Sequence, residues 1–219
     1  MKLLFENWRK YLNEGVDPRI QKQIDNLIQL PNVEIGIRFF KTSTVYFEYV
    51  DSNTQERRPG RDITRDEHRG PWGTVSIMKS NPEEDGNCLN GYVVYSTEAS
   101  HGWGPLLYEI ALEWASQNSG GLMPDRGMVS KYASAVWDKY AIRSDVDKKQ
   151  LDVDHELDGA WMQPYPELTP DIKADDCDQG SSIFAKGSDW PSSNLSKIYY
   201  KDTQEAMAAL KKAGRLIIK

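Results

Sequence analysis

A strand-like segment, a glycine turn and a helix follow one another between residues 92 and 118, and this order limits the folds open to the chain. The segment "YVVYSTEA" is rich in β-branched and aromatic residues, which favours a strand. The next residues, "SHGWGP", supply two glycines for a tight turn and a proline suited to the first turn of a helix. Apolar residues then recur at helical spacing and predict a buried helix face. They are Leu107, Ile110, Ala111 and Trp114.

The glycine turn has the features of an anion site. Gly102 and Gly104 allow a ligand close to the backbone, and a helix starting near Pro105 directs its first N–H groups at the same place. A plain chain reversal is the alternative. A dinucleotide-binding motif is disfavoured, because the preceding strands look like an antiparallel meander and a third glycine is missing. A P-loop is excluded, since its Lys-Ser/Thr pair is absent.

Further segments have clear signals for single elements. Asp17-Pro18 opens a helix whose apolar face ends near Pro31. The runs "VEIGIRFF" and "TVYFEYV" predict an antiparallel hairpin, and "GTVSIMKS" predicts a strand before "GYVVYSTEA". A second periodic helix, "MVSKYASAVWDKYAI", has Ser130 available as its cap. The end of the chain predicts a helix, a Gly214 cap and a short strand.

This order of elements predicts an α/β fold of the α+β sandwich type, with a mixed, mostly antiparallel sheet flanked by helices. We divide the sequence into an N-terminal amphipathic helix or leader (1–14), one domain (15–142) and an irregular C-terminal extension packed on that domain (143–219). The polar segment 51–71 is expected to be an exposed loop.

Charge and cysteine usage limit the function classes. The net charge of −6 argues against coating nucleic acid or binding an anionic membrane. No apolar run is long enough for a membrane span, and the first residues lack a secretory pattern. Cys88 and Cys177 show no disulfide framework and no zinc spacing, so we expect two plain thiols in a reducing, cytoplasmic setting.

The stretch "ASHGWGPLLYEIALEWA" resembles the cofactor motif of the GCN5-related N-acetyltransferase (GNAT) superfamily, with Gly102 and Gly104 at its two small positions. Downstream, "SKYASAVWDKYAI" is similar to a second motif of that family, with Ser130, Ala133 and Trp137 in register. The resemblance covers residues 90–142.

The resemblance implies that acetyl-CoA is the cofactor and an amine the acceptor. The pyrophosphate of acetyl-CoA would lie against backbone N–H groups of the turn, and the pantetheine arm of acetyl-CoA would pair with the edge of the preceding strand. The cofactor-binding residues implied are Val93, Val94, Tyr95, His101, Gly102, Trp103, Gly104 and Leu106.

The sequence departs from the family pattern at three positions. Ala99 replaces a Gln or Arg, and Pro105 removes one N–H donor. Trp137 stands where many members have the tyrosine that protonates the departing thiolate, so Tyr140, one helical turn away, is the substitute candidate acid. A core aromatic is the alternative role for Tyr140.

Glu98, at the strand end beside the turn, is the candidate catalytic base, and an exposed strand-end carboxylate is its alternative role. His101 is a second candidate base, with a surface position or a phosphate contact as its alternatives. The acidic runs "DVDHELD" and "DDCD" do not follow a calcium-loop pattern, so we expect a solvated acidic surface and no metal.

The opening "MKLLFENWRKYLNEG" resembles the capsid-targeting leader of internal head proteins in large tailed phages. That resemblance implies proteolysis after Glu14 and before Gly15; an ordinary helix is the alternative. We therefore expect an acyl-CoA-dependent N-acetyltransferase acting on a small-molecule or protein amine. The rival is a catalytically inactive phage protein that acts in the virion or host cytoplasm by binding a capsid or host protein. A weaker third idea is an acidic decoy that inhibits a nucleic-acid enzyme.

Overall fold

A curled, mostly antiparallel sheet with helices around it forms the core of the fold, as a computed structural model shows. The structure describes residues 16–39, 42–50, 54–59, 70–154, 167–179 and 190–219. Four helices lie in these ranges: α1 (Pro18–Ile28), α2 (Gly104–Asn118), α3 (Lys131–Ile142) and α4 (Glu205–Lys212). None of the four has the length and apolarity needed to cross a membrane.

Eleven strands are found in the same ranges. The first six are β1 (Val33–Phe39), β2 (Ser43–Val50), β3 (Arg57–Pro59), β4 (Gly73–Lys79), β5 (Tyr92–Ala99) and β6 (Leu122–Met123). The others are β7 (Asp147–Gln150), β8 (Asp152–Val153), β9 (Asp176–Cys177), β10 (Lys197–Tyr200) and β11 (Leu216–Ile218). The large sheet has the order β11-β1-β2-β4-β5-β6-β10-β7, with β3 on β2, and β8 pairs with β9 separately.

The strands before the glycine turn form the predicted antiparallel meander. β1 and β2 form a hairpin, and β4 pairs antiparallel with both β2 and β5. Within the large sheet, the described parallel pairs are β1 with β11 and β5 with β6. The mixed α/β class and the mostly antiparallel sheet are therefore confirmed.

Helix α1 forms as its sequence predicts. Pro18 opens it, and the Asp17 carboxylate accepts a hydrogen bond of 2.8 Å from the Arg19 N–H, which satisfies one of the first free donors. Ile20, Ile24 and Leu27 are buried against the sheet and the other helices. The predicted leader, residues 1–14, lies outside the described residues.

Helix α2 is the centre of the core and is buried on nearly every side. The predicted face is buried at Leu107, Ile110 and Ala111, whereas Trp114 is only partly buried. The sequence pattern missed the opposite side, where Glu109 and Glu113 are both 0% exposed. They are buried because the C-terminal segment around Lys201 covers this side and brings a lysine between them.

The C-terminal extension is more regular than predicted, because it supplies strands to the main sheet. β10 pairs with β6 and β7, and β11 pairs in parallel with β1 through Ile35 and Leu216. The predicted terminal helix, cap and strand are confirmed as α4, Gly214 with φ 66° and β11. The predicted loop 51–71 also contains a strand, β3, which pairs with β2.

The prediction of two plain thiols is wrong, because Cys88 and Cys177 form a disulfide. The two residues are 89 positions apart, and the fold brings the β9 segment onto the 3-10 turn Cys88–Asn90. The Leu89 N–H donates to the Ala174 carbonyl at 2.6 Å across this contact. Disulfides of this kind form in oxidising compartments, so the cysteines do not support a reducing one.

An acidic cluster lies beside the disulfide and predicts a pH effect on stability. Burial, together with the charges of Asp154 and Asp175, raises the pKa of Asp176 to about 6. Because the folded pKa lies above the unfolded value, the stabilisation from this group is fully present below about pH 4 and is lost as the pH rises through about 6. We expect Asp176→Asn to raise the melting temperature at about pH 8 and to change it little near pH 4. Thermal melts at both pH values check this, with the exposed Asp171→Asn as control. An equal gain at both pH values contradicts it.

Candidate functional site

Strand β5 separates from its neighbour β6 after two residues. The two strands pair in parallel at Tyr92 with Leu122 and at Val93 with Met123. On the other edge of β5, the register with β4 shifts between Ser76 and Ile77, so that Tyr95 is an extra residue in β5. A bulge of this kind bends a strand and increases its twist. The β6 edge of β5 is therefore occupied at Val93, and no described strand pairs with it from Val94 onward.

The space beside this bend is a cleft of about 150 Å³, which we call the helix cleft. Residues 94–97 of β5 line one side and Tyr108 of α2 lines its base. Ser130, Ala133 and Trp137, the three positions of the second motif, line the side formed by α3. The Ser130 hydroxyl accepts a hydrogen bond of 3.2 Å from the Ala133 N–H and caps α3, as predicted.

The glycine turn joins β5 to α2, and residues 100–104 are not among the described residues that line the helix cleft. Gly102 has φ 85°, and a side chain added there would meet no atom within 4 Å. His101 and Gly102 are exposed, and no side chain caps the first turn of α2. The Gly102 carbonyl accepts a hydrogen bond from the Gln23 side chain of α1. The turn is therefore exposed at His101 and Gly102, and the hydrogen bond from Gln23 attaches it to α1.

The remaining predicted cofactor residues have structural contacts of their own. The Trp103 ring packs edge-on against Phe47 with centroids 5.6 Å apart, and the Trp103 N–H donates to the Ser100 carbonyl at 3.1 Å. Leu106 is fully buried in the core. The Trp103 and Leu106 side chains therefore hold the turn in place and are not free to contact a ligand.

A second and larger cleft, of about 480 Å³, lies on the sheet face turned away from α2; we call it the sheet cleft. Strand alternation produces it, because Val75 and Ile77 point into the core while their neighbours point outward. The strand registers align these outward residues in two rows across four strands. One row is Arg38, Thr44, Ser76 and Ser96, and the other is Gly36, Tyr46, Thr74 and Glu98.

The two clefts meet at β5. Ser96 and Thr97 line both of them, while Glu98 lines the sheet cleft. The candidate base Glu98 therefore lies one or two residues from the point where the helix cleft reaches the strand. His101, the other candidate base, is exposed at the turn and is not among the described residues lining either cleft.

The candidate acid Tyr140 lies elsewhere. It is 4% exposed and packs against Trp137 and Tyr199, with ring centroids 5.8 and 6.0 Å away. Burial, followed by the charge of Glu109, raises the pKa of its hydroxyl well above the usual value. Tyr140 lines a third cleft, of about 100 Å³, between α1, α2 and α3. The structure does not bring it into the helix cleft.

Tyr108 is a site residue that the sequence analysis missed. Its side chain lines the helix cleft, contacts Trp137 edge-on with centroids 6.0 Å apart and hydrogen-bonds with the Thr97 side chain. Burial raises the pKa of Tyr108, and the bond with Thr97 partly offsets this. The available signal was its position four residues after Gly104, which places it one turn into α2. The predicted buried face of α2 did not include this residue.

No protein-family model, no curated protein and no solved structure matches the sequence or the fold.

Proposed function

We propose that the protein is an acyl-CoA-dependent N-acetyltransferase, with acetyl-CoA in the helix cleft and the amine acceptor in the sheet cleft. The observation that carries this proposal is the shared wall of the two clefts at Ser96 and Thr97. A ligand in each cleft would contact the same two residues of β5. This arrangement favours group transfer over a single-ligand binding site.

The turn and the bent strand suit the two ends of acetyl-CoA. No side chain caps the start of α2, so a pyrophosphate in front of the turn would be stabilised by the first N–H groups of the helix. Pro105 has no N–H, and the Trp103 N–H already donates to the Ser100 carbonyl. Val94 and Tyr95 supply the strand edge that β6 leaves unoccupied, where the amide groups of the pantetheine arm would pair. Acetyl-CoA itself supplies the activated acyl group.

Two side chains are placed for the proton transfers. Glu98, on the acceptor side, would take a proton from the amine so that its lone pair is available. Tyr108 stays protonated at neutral pH, because burial raises its pKa, and it would donate a proton to the leaving thiolate. Tyr108 thereby takes the role expected of Tyr140, since Trp137 has no acidic group.

Binding of acetyl-CoA is the first test, by thermal shift. At about 100 times its dissociation constant, a ligand adds roughly 2.7 kcal/mol of stability, which is about 5–10 °C for a chain of this size. We expect Gly102→Ala to lose most of this shift, because the new methyl group occupies the space in front of the turn.

A matched control separates this loss from backbone strain. Gly214 also has positive φ and nothing within 4 Å of an added side chain, but it lies in the C-terminal segment. Gly214→Ala therefore carries a similar strain and should keep the full acetyl-CoA shift. A wild-type protein that shows no shift with acetyl-CoA overturns the proposal.

The rival function, a catalytically inactive phage protein that binds a host or capsid partner, has one observation in its favour. Met128, Tyr132 and Ile142 on or beside α3 are 85%, 88% and 84% exposed, which is unusual for large apolar side chains. Binding of acetyl-CoA without transfer to any amine would favour this rival. Its host-cytoplasm or virion setting is part of the same proposal.

A further inference from the structure

The sheet cleft has a positive and a negative side chain at opposite corners. Arg38 begins the first row on β1, and Glu98 ends the second row on β5. Three strand spacings and two residues along the strands separate them, which is about 16 Å between backbones. Both side chains line the cleft, together with the hydroxyl groups of Thr44, Thr74 and Ser76 between them. A ligand that spans the cleft therefore meets opposite charges at its two ends.

Arg38 is held in place by an aromatic ring. Its guanidinium carbon lies 5.3 Å from the centroid of the Tyr46 ring. The ring itself is fixed over Gly36, where an added Cβ would come within 2.6 Å of the Tyr46 Cζ atom. Arg38 forms no ion pair with a residue in the described ranges, so its N–H groups are available for a carboxylate.

The floor of the cleft has hydroxyl groups without partners. The Thr74 Oγ1 and the Tyr46 hydroxyl are both buried, and neither makes a hydrogen bond within the part of the chain that the structure describes. Buried polar groups are nearly always hydrogen-bonded, so such exceptions point to a missing partner. Thr74 is the register partner of Glu98, but its hydroxyl makes no hydrogen bond with the Glu98 carboxylate.

We propose that the sheet cleft binds an amine that also carries a carboxylate: an amino acid or a short peptide. The carboxylate pairs with Arg38, the ammonium group with Glu98, and the backbone or polar groups between them with the hydroxyl of Thr74. Glu98 already has an interaction partner in the chain, but a carboxylate has about four acceptor sites. The proposal deepens the transferase function by naming its acceptor class.

Calorimetric titration tests the charge requirement directly. The probes are L-alanine and L-alanyl-L-alanine, each compared with its C-terminal amide. We expect the carboxylate form of at least one pair to bind roughly tenfold or more tightly than its amide, since a charged hydrogen bond is lost in the amide. The pair that binds more tightly tells an amino-acid site from a peptide site. Equal affinity of acid and amide, or no binding by any probe, overturns the proposal.

The variant Arg38→Gln tests whether Arg38 is the residue that recognises the carboxylate of the ligand. The variant should abolish the preference for the carboxylate form, while Lys22→Gln, which removes an exposed charge on α1, should keep it. A preference that survives in Arg38→Gln contradicts the assignment.

The titrations are run with and without coenzyme A, so that failure of the two proposals can be told apart. Peptide binding without any acetyl-CoA binding removes the transferase function and leaves this site. A thermal shift with acetyl-CoA but no binding of an amino acid or peptide overturns this site and leaves the transferase function.

Discussion

A Lys201→Met variant should lose about 3–5 kcal/mol of unfolding free energy, which is the usual effect of removing one partner from a buried ion pair. The Lys201 side chain is fully buried, and its Nζ lies 2.8 Å from Glu109, 2.9 Å from Glu113 and 2.8 Å from Glu205. Burial lowers the pKa of Lys201, but Glu109 and Glu113 more than offset this and raise it, so the lysine is charged at neutral pH. Methionine fills a similar volume and leaves Glu113 buried without its cation, while Glu109 keeps its ion pair with Arg143.

Denaturant unfolding measures this effect, with Lys212→Met as the matched control. Lys212 lies on the exposed side of α4, and its replacement should change stability by less than about 0.5 kcal/mol. A loss below about 1 kcal/mol in Lys201→Met would mean that the carboxylates take up protons or find other partners at little cost. Glu113 also accepts hydrogen bonds of 3.0 and 2.8 Å from the Ala206 and Met207 N–H groups, so a measured loss also reflects weaker capping of α4.

The second large effect concerns catalysis. Glu98→Gln should lower kcat/KM for acetyl transfer by roughly 100- to 10,000-fold, because the amide keeps the shape of the side chain but cannot accept a proton. Steady-state rates with acetyl-CoA and the best amine acceptor measure this. The acetyl-CoA melting shift should stay unchanged, because Glu98 lines the sheet cleft and not the helix cleft.

His101→Gln separates the two candidate bases. His101 is exposed at the turn, away from the shared wall of the clefts, so its replacement should leave the rate within a few-fold of wild type. A large loss in His101→Gln together with a small loss in Glu98→Gln would assign the base to the histidine. Both variants replace a titratable group with an uncharged amide.

Local signals in the sequence were enough for the elements that depend on neighbouring residues. The hairpin of β1 and β2 follows from two β-branched runs, and α1 follows from Asp17-Pro18 and its apolar spacing. The Ser130 cap of α3 and the Gly214 stop after α4 were predicted on the same basis and are confirmed. In each case the deciding interaction lies within about four residues.

Features that depend on distant residues were not predictable in this way. The partner of Cys88 is 89 residues away, and no pattern marks Cys177 as that partner. Glu109 and Glu113 are charged residues that a sequence pattern assigns to solvent, and their burial depends on the distant Lys201, with Arg143 also pairing with Glu109. The rows of the sheet cleft depend on the registers of three strand pairs. The sequence alone therefore could not show that Arg38 and Glu98 line the same cleft.

The position of β11 has a consequence for synthesis of the protein. β1 begins at Val33, yet one of its edges is covered by residues 216–218. During synthesis, that edge of β1 stays open until residues 216–218 have left the exit tunnel. An open strand edge is a template for aggregation, and pairing across such a distance is slow. We therefore expect the yield of the protein in cells to depend on chaperones that shield β1 until β11 has emerged and paired with it.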